Sequence, residues 1–121
     1  MTPEILLDAR HVTHDFYLSK TACVRALDDL SFQIRKGEIY GLVGESGSGK
    51  STLARCVMNL VAPQSGNIFF RGIDILDPRQ FRANKAYLQT ARQMIFQDST
   101  SSLNGRMKVC DIIAEPMRIA K

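Results

Sequence analysis

Gly44, Gly49, Lys50 and Ser51 follow the order Gly-x-x-x-x-Gly-Lys-Ser, inside the stretch Gly44-Glu45-Ser46-Gly47-Ser48-Gly49-Lys50-Ser51-Thr52. The chemistry these residue types share is the holding of a polyphosphate. Glycine at 44, 47 and 49 lets the backbone take positive φ, and lets an anion approach where a Cβ would collide. The N–H groups of the loop can then converge on phosphate oxygens. A helix opening near Lys50 adds unpaired N–H groups and the positive end of its dipole to the same point. From there the Lys50 ammonium reaches the β- and γ-phosphates of a nucleotide, and the Ser51 hydroxyl supplies an oxygen ligand for Mg²⁺. The competing reading is a flexible Gly/Ser turn with no ligand, and the flanking sequence argues against it.

A phosphate loop needs a strand to deliver it and a helix to leave by. Ile39, Leu42 and Val43 form a short apolar run before the loop, the pattern of a buried parallel strand. Leu53, Val57, Leu60 and Val61 recur after it at the spacing of a core-facing helical stripe. Upstream, Ile5 to Val12 reads as a strand, and Val24 to Ile34 as a second through the alternation of Val24, Ala26, Leu30, Phe32 and Ile34. These two are expected to be antiparallel neighbours, with Arg35-Lys36-Gly37-Glu38 turning towards the loop. His11 falls in the first strand and His14 in the loop after it.

Downstream, Ala62-Pro63-Gln64-Ser65-Gly66 is a cluster of turn formers, and Asn67 to Phe70 is a short strand closed by Arg71-Gly72. Asp77-Pro78 opens a polar helical stretch, with proline at the first turn, where its missing N–H costs nothing. Ala91 to Phe96 reads as a further strand ending at Gln97, followed by a Ser/Thr-rich loop over 98–104. Val109, Ile112, Ile113 and Met117 mark a last helical stripe, which Pro116 should kink or interrupt. There are no internal repeats.

The remaining composition mostly excludes. With 121 residues there is room for one domain, and 45% hydrophobic with 23% charged residues is ordinary for a globular chain. No run approaches the ~20 apolar residues of a membrane span, and the first residues lack the basic and long apolar regions of a secretion signal, so a cytoplasmic location is expected. Cys23, Cys56 and Cys110 are odd in number, far apart and without C-x-x-C spacing, and read as reduced thiols. His11 and His14 lack acidic or cysteine company and read as structural rather than metal-binding. The formal net charge of +4 is spread along the chain rather than clustered. It suits an anionic nucleotide better than nucleic acid, and no nucleic-acid partner is expected.

The loop sequence Gly44 to Leu53, preceded by Ala26-Leu27-Asp28-Asp29-Leu30-Ser31-Phe32 and Gly37-Glu38, resembles the start of the ATP-binding subunit of an ABC transporter. Within that family it is similar to the oligopeptide, dipeptide and nickel importers, on the strength of Gln93-Met94-Ile95-Phe96-Gln97-Asp98, Ser102-Leu103-Asn104 and Ile112-Ile113-Ala114-Glu115-Pro116. The resemblance covers nearly the whole chain. It implies an α/β P-loop NTPase fold, the ABC nucleotide-binding domain, with an N-terminal antiparallel β-subdomain. Residues 1–121 would form the N-terminal portion of one such domain, ending after the Q-loop.

The implied ligands are ATP and Mg²⁺, and residues Gly44 to Thr52 would hold them. Gln97 matches the Q-loop glutamine, which ligates Mg²⁺ or the attacking water and links the nucleotide site to the membrane subunits. Phe16 matches the aromatic that stacks on adenine, with Tyr17 as a neighbouring alternative, since stacking needs only a π-face. Lys50 and Gln97 are thus the implied catalytic residues, and Ser51 and Gln97 the metal ligands. Implied partners are membrane permease subunits and a second ATP-binding subunit packed head to tail, placing the assembled subunit at the inner face of the cell membrane. The implied function is ATP binding by the energy-coupling subunit of an importer for peptides or related small solutes. A catalytically silent nucleotide-binding fragment or gene remnant and a non-transport P-loop NTPase are the alternatives.

Two departures from the family pattern stand close together. Ser99 and Gly105 occupy positions that usually carry proline, so the segment that would dock on the membrane subunit is expected to be looser. A larger departure is that the signature motif, the Walker B strand with its aspartate and glutamate, and the switch histidine would all lie beyond Lys121. The 121-residue chain by itself is therefore expected not to turn over ATP, and to behave as a marginally stable N-terminal piece with open sheet edges.

Overall fold

The computed structural model describes residues 4–17, 19–44, 49–96 and 103–119, the Phe16 side chain excepted. It divides into two compact units, 1–84 and 85–121.

The first unit is built on strands β1 (Ile5–Tyr17) and β2 (Cys23–Arg35), joined as an antiparallel hairpin. Helix α1 (Lys50–Val57) follows, then β3 (Ser65–Phe70), β4 (Ile73–Asp74) and helix α2 (Pro78–Ala83). The sheet order is β2-β1-β3-β4, antiparallel throughout. Both expected N-terminal strands are present and longer than their patterns suggested, so His14 lies in β1 rather than in a loop.

Along β1 the buried apolar positions are Leu7 and Ala9, then Val12, with His14 buried in step with Val12; Asp8 is buried as well, its carboxylate accepting from Arg10. The three-residue step from 9 to 12 breaks the period of two, and His11 occupies it with φ +52°. One extra residue in the left-handed region is a β-bulge, and it swaps which parity faces the core. β2 carries the matching irregularity at Asp29, φ +49°, so Leu27 is buried where the simple alternation would place Ala26.

The two bulges support each other. The His11 amide donates to Ser31 Oγ at 2.9 Å, the Asp29 amide donates to Thr13 Oγ1 at 3.0 Å, and His11 Nδ1 lies 2.7 Å from Asp29 Oδ1. Backbone donors that the ladder cannot use are thereby satisfied. Gly66 packs behind this bulge at φ +99°, where a Cβ would come within 2.5 Å of the His11 carbonyl oxygen.

The core of the unit lies between one face of the sheet and α1, with Val12, Ile68, Leu53, Cys56 and Ile75 among its buried side chains. Helix α1 buries Thr52, Leu53 and Cys56. The expected stripe through Val57, Leu60 and Val61 is not formed, because the helix ends at Val57 and Leu60 is 56% exposed. Asn59, φ +61°, adopts the left-handed conformation that often closes a helix, and its Nδ2 donates to the Ile75 carbonyl at 2.9 Å. Arg71 and Gly72, both with positive φ, make the two-residue turn between β3 and β4. Asp77 caps α2 by accepting from the Arg79 amide at 3.0 Å, with Pro78 in the first turn as expected.

The second unit contains α3 (Lys85–Ala91) and α4 (Val109–Ile119). The polar helical stretch beginning at Pro78 is thus two short helices. Pro116 lies inside α4 without ending it. No residue of α4 is buried, so water can satisfy the carbonyl whose donor proline removes. Ahead of α4, the Asn104 carbonyl and side chain accept from the amides of Met107 and Arg106, at 3.1 and 3.0 Å. These bonds hold the turn at Gly105 without proline; Ser99 lies outside the described residues.

Two expected strands are not formed. Residues 38–44 and 92–96 are irregular, with Ile39 99%, Val43 96% and Ile95 94% exposed. A parallel strand needs partners on its edges and cover on both faces. Among the described residues every strand belongs to the antiparallel sheet of the first unit, and neither segment forms a strand.

Candidate phosphate-binding site

The loop expected to bind phosphate begins at Gly44 and ends in the first turn of α1. The first ladder bond of that helix runs from the Leu53 amide to the Gly49 carbonyl, at 2.9 Å. The amides of Lys50, Ser51 and Thr52 therefore stand outside the helical ladder. The N-cap is Gly49, which has no side chain to bond them, and the first turn holds no acidic residue. A helix start whose N-cap brings no side-chain bond and whose first turn carries no acidic residue suits an anion.

Gly49 has φ +96°, and a Cβ there would lie 2.1 Å from the Ala26 carbonyl oxygen and 3.2 Å from Leu27 Cδ2. Only glycine meets both the backbone angle and the close approach. The contact sets the start of α1 directly on β2, which positions Lys50 and Ser51 relative to the sheet. The Lys50 ammonium donates to the Gly44 carbonyl, bridging the two described ends of the loop. Ser51 is exposed in the first turn, whereas Thr52, expected beside the phosphates, is buried at 6% exposure.

The residues fit Mg²⁺ as far as they are described. Ser51 offers one hydroxyl oxygen, and Mg²⁺ commonly takes few protein oxygens, completing its shell with phosphate and water. Glu45, Ser46, Gly47, Ser48 and Gln97 lie outside the described residues. Phe16 lies in β1, its backbone opposite Val24 of β2.

Other reactive groups are accounted for separately. His11 is on the exposed side with Asp29 and His14 on the buried side, so the two do not form a chelating pair. Among the described residues no group of three His, Cys, Asp or Glu side chains is placed to hold a metal. Cys56 is buried, and burial pushes its thiol pKa up, while Cys23 and Cys110 are exposed. In the second unit Arg92 is buried at 8% exposure with Nε donating to the Leu88 carbonyl at 2.9 Å, and burial lowers its pKa. Two features escaped the sequence reading. Asn59 had a local signal, a left-handed-tolerant residue just past a helix; the bulge at His11 had the odd step between apolar positions 9 and 12.

A strand hairpin, a glycine-capped helix start and a lysine closing on the loop it follows describe the beginning of an ATP-binding cassette. Residues 27–119 match the ABC transporter family, and the chain belongs to that family. It is 45% identical over 118 residues to the oligopeptide transport ATP-binding protein OppF of Bacillus subtilis, covering 98% of this chain and 38% of that protein. It is 42% identical over 117 residues to OppF of Streptococcus mutans, covering 96% and 37%. The chain thus spans little more than a third of these curated relatives.

The fold is similar to solved structures of the bacterial ABC transporter cassette MJ0796. One, described as dimeric, superposes with a TM-score of 0.74 at 20% identity, over 96% of this chain and 48% of that one. Another, bound to ADP and Pi in a post-hydrolysis state, gives 0.75 at 19% identity with the same coverage. No helix among the described residues is long and apolar enough to cross a membrane.

Proposed function

We propose that this chain provides the ATP-binding part of the energy-coupling subunit of an ABC importer for peptides or related small solutes. The observation that carries the nucleotide reading is the start of α1. Three amides outside the ladder, a glycine N-cap and the Lys50 ammonium are gathered at one end of a glycine-rich loop. The OppF relatives, oligopeptide transport ATP-binding proteins by name, support the importer reading.

In this reading Gly44 to Gly49 cradle the phosphates, and Lys50 exchanges its bond to the Gly44 carbonyl for the β- and γ-phosphate oxygens. Ser51 and Gln97 hold Mg²⁺, which neutralises phosphate charge when bound. Gln97 also orients water and couples the site to the permease subunits, and Phe16 stacks on the adenine. Thr52 contributes its first-turn amide rather than its buried hydroxyl. The same reading pairs the subunit head to tail with a second one, at the inner face of the cell membrane. Hydrolysis powering transport is assigned to the whole family domain.

Equilibrium binding of ATP with Mg²⁺, with Lys50→Ala as control, tests the site. Saturable binding that falls at least about tenfold in the variant is expected, since a charge-assisted contact to phosphate contributes about 1.5–3 kcal/mol. Equal binding by both proteins, or none by the folded chain, would overturn the assignment.

A further inference from the structure

The β1–β3 ladder ends at Thr13 opposite Ser65. On its other edge β1 continues, with Asp15, Phe16 and Tyr17 opposite Arg25, Val24 and Cys23 of β2. Among the described strands, the last three residues of β1 therefore have a partner on one side only. On the open side a side chain takes the place of the backbone. Gln64 Oε1 accepts from the Asp15 amide at 2.9 Å, and Gln64 Nε2 donates to the Asp15 carbonyl at 3.4 Å. Gln64 is itself anchored, its own amide donating to the Thr13 carbonyl at 2.9 Å.

The Asp15 side chain is also held. Arg25 Nε and Nη2 donate to its two carboxylate oxygens at 2.9 and 3.4 Å, and the side chain is only 13% exposed. Arg25 faces Asp28 as well, at 3.5 Å. Asp15 is thus gripped through its amide, its carbonyl and its carboxylate.

We propose that Gln64 is a positioning residue for nucleotide binding: with Arg25 it clamps Asp15, and so fixes the strand end that carries Phe16, the residue read as the base platform. The inference rests on the reading of Phe16 as the base platform given above. A primary amide reproduces both the donor and the acceptor of a peptide group, which is why glutamine can extend a ladder after the neighbouring strand has turned away. A strand end paired on one edge alone frays more readily than one paired on both. Fraying here lowers the fraction of chains whose residue 16 is placed to stack, and apparent affinity falls by that fraction.

The test compares binding of ATP with binding of inorganic tripolyphosphate, each with Mg²⁺, in the full chain. Tripolyphosphate reads the phosphate cradle alone, and ATP reads cradle and base together. Gln64→Leu keeps the bulk of the side chain and removes both bonds. It is expected to weaken ATP about three- to tenfold, as two modest hydrogen bonds allow, and to change tripolyphosphate less than about twofold. Gln64→Glu retains the acceptor for the Asp15 amide but sets a carboxylate near Asp15, and should fall between wild type and Gln64→Leu. Phe16→Ala should weaken ATP selectively too, and adding Gln64→Leu to it should cause little further loss, because both act on one contact.

If Phe16→Ala weakens ATP and Gln64→Leu does not, the clamp is overturned while the base platform stands. If Gln64→Leu weakens both ligands equally, its role is general stability and the proposal fails. If Phe16→Ala leaves ATP binding unchanged, the platform reading fails and the clamp falls with it.

Discussion

Replacing Gly49 by alanine isolates the contact that seats the phosphate loop on the hairpin. Two separate costs arise. The first is conformational, since φ +96° places an L-residue in a region that costs roughly 1–2 kcal/mol. The second is steric. The new Cβ would lie 2.1 Å from the Ala26 carbonyl oxygen and 3.1 Å from its carbon, and a backbone carbonyl cannot escape by changing rotamer. Helix α1 must move away from β2, or β2 must bend, and overpacking of this kind costs about 1–3 kcal/mol. The expected loss for Gly49→Ala is therefore roughly 2–5 kcal/mol, a large share of the 5–15 kcal/mol typical of a domain.

Gly37→Ala is the matched control, because Gly37 also has positive φ, +80°, but nothing lies within 4 Å of its Cβ position. It should lose only the conformational part. Urea unfolding of both variants beside wild type gives the difference, expected at about 1–3 kcal/mol. ATP affinity should fall in Gly49→Ala and stay unchanged in Gly37→Ala. Equal destabilisation by the two substitutions would refute the claim that the Ala26 carbonyl fixes the start of the helix.

Cys56 is buried with a raised thiol pKa, so a thiol reagent should label Cys23 and Cys110 quickly in the native protein and Cys56 only on unfolding. The same shift gives a pH dependence. The folded state holds its thiol proton more tightly, so the stabilisation is complete below the ordinary value of 9.0 and is lost as pH rises through the higher folded value. Thermal melts should show this alkaline loss, and Cys56→Ala should lack it. Asn59→Gly keeps the left-handed conformation but loses the bond to the Ile75 carbonyl, whereas Asn59→Ala loses both. Alanine should therefore be the more destabilising, by about 1 kcal/mol in chemical denaturation.

What the sequence made legible was what depends on neighbours along the chain. The hairpin strands, the turn at Arg71-Gly72, the Asp77-Pro78 helix start and the lysine at the helix mouth are all local matters of alternation, φ preference and capping. The stripe after the loop misled because apolar spacing at 57, 60 and 61 continued past the point where Asn59 closes the helix. The bulges misled differently. Counting alternate residues from Val24 reaches Ala26 and Leu30 in step, yet Leu27 is the buried one, because Asp29 adds a residue against the matching excess at His11. Ser31 and Thr13 accept the displaced amides, and nothing local to either strand announces that pairing.

The segments 39–43 and 92–96 mark the opposite limit, where the sequence pattern is strong and the structure does not follow it. Ile39, Leu42, Val43, Ile95 and Phe96 have the composition of buried strands but lie exposed, since strand formation is a property of a pair. The hairpin can form early because its two strands are joined by a short turn, and pairing can zip outward from Tyr17 opposite Cys23 to Ile5 opposite Arg35. A central parallel strand needs partners brought together through crossover connections, and here its neighbours are not among the described strands. The phosphate loop stands between these two regimes. Its C-terminal end is set by Gly49 against Ala26 in the locally formed hairpin unit, and its N-terminal end hangs from the exposed 38–44 segment through the Lys50–Gly44 bond. The helix end of the cradle therefore has its support from the hairpin, while the Gly44 end adjoins an exposed segment with no strand partner among the described residues.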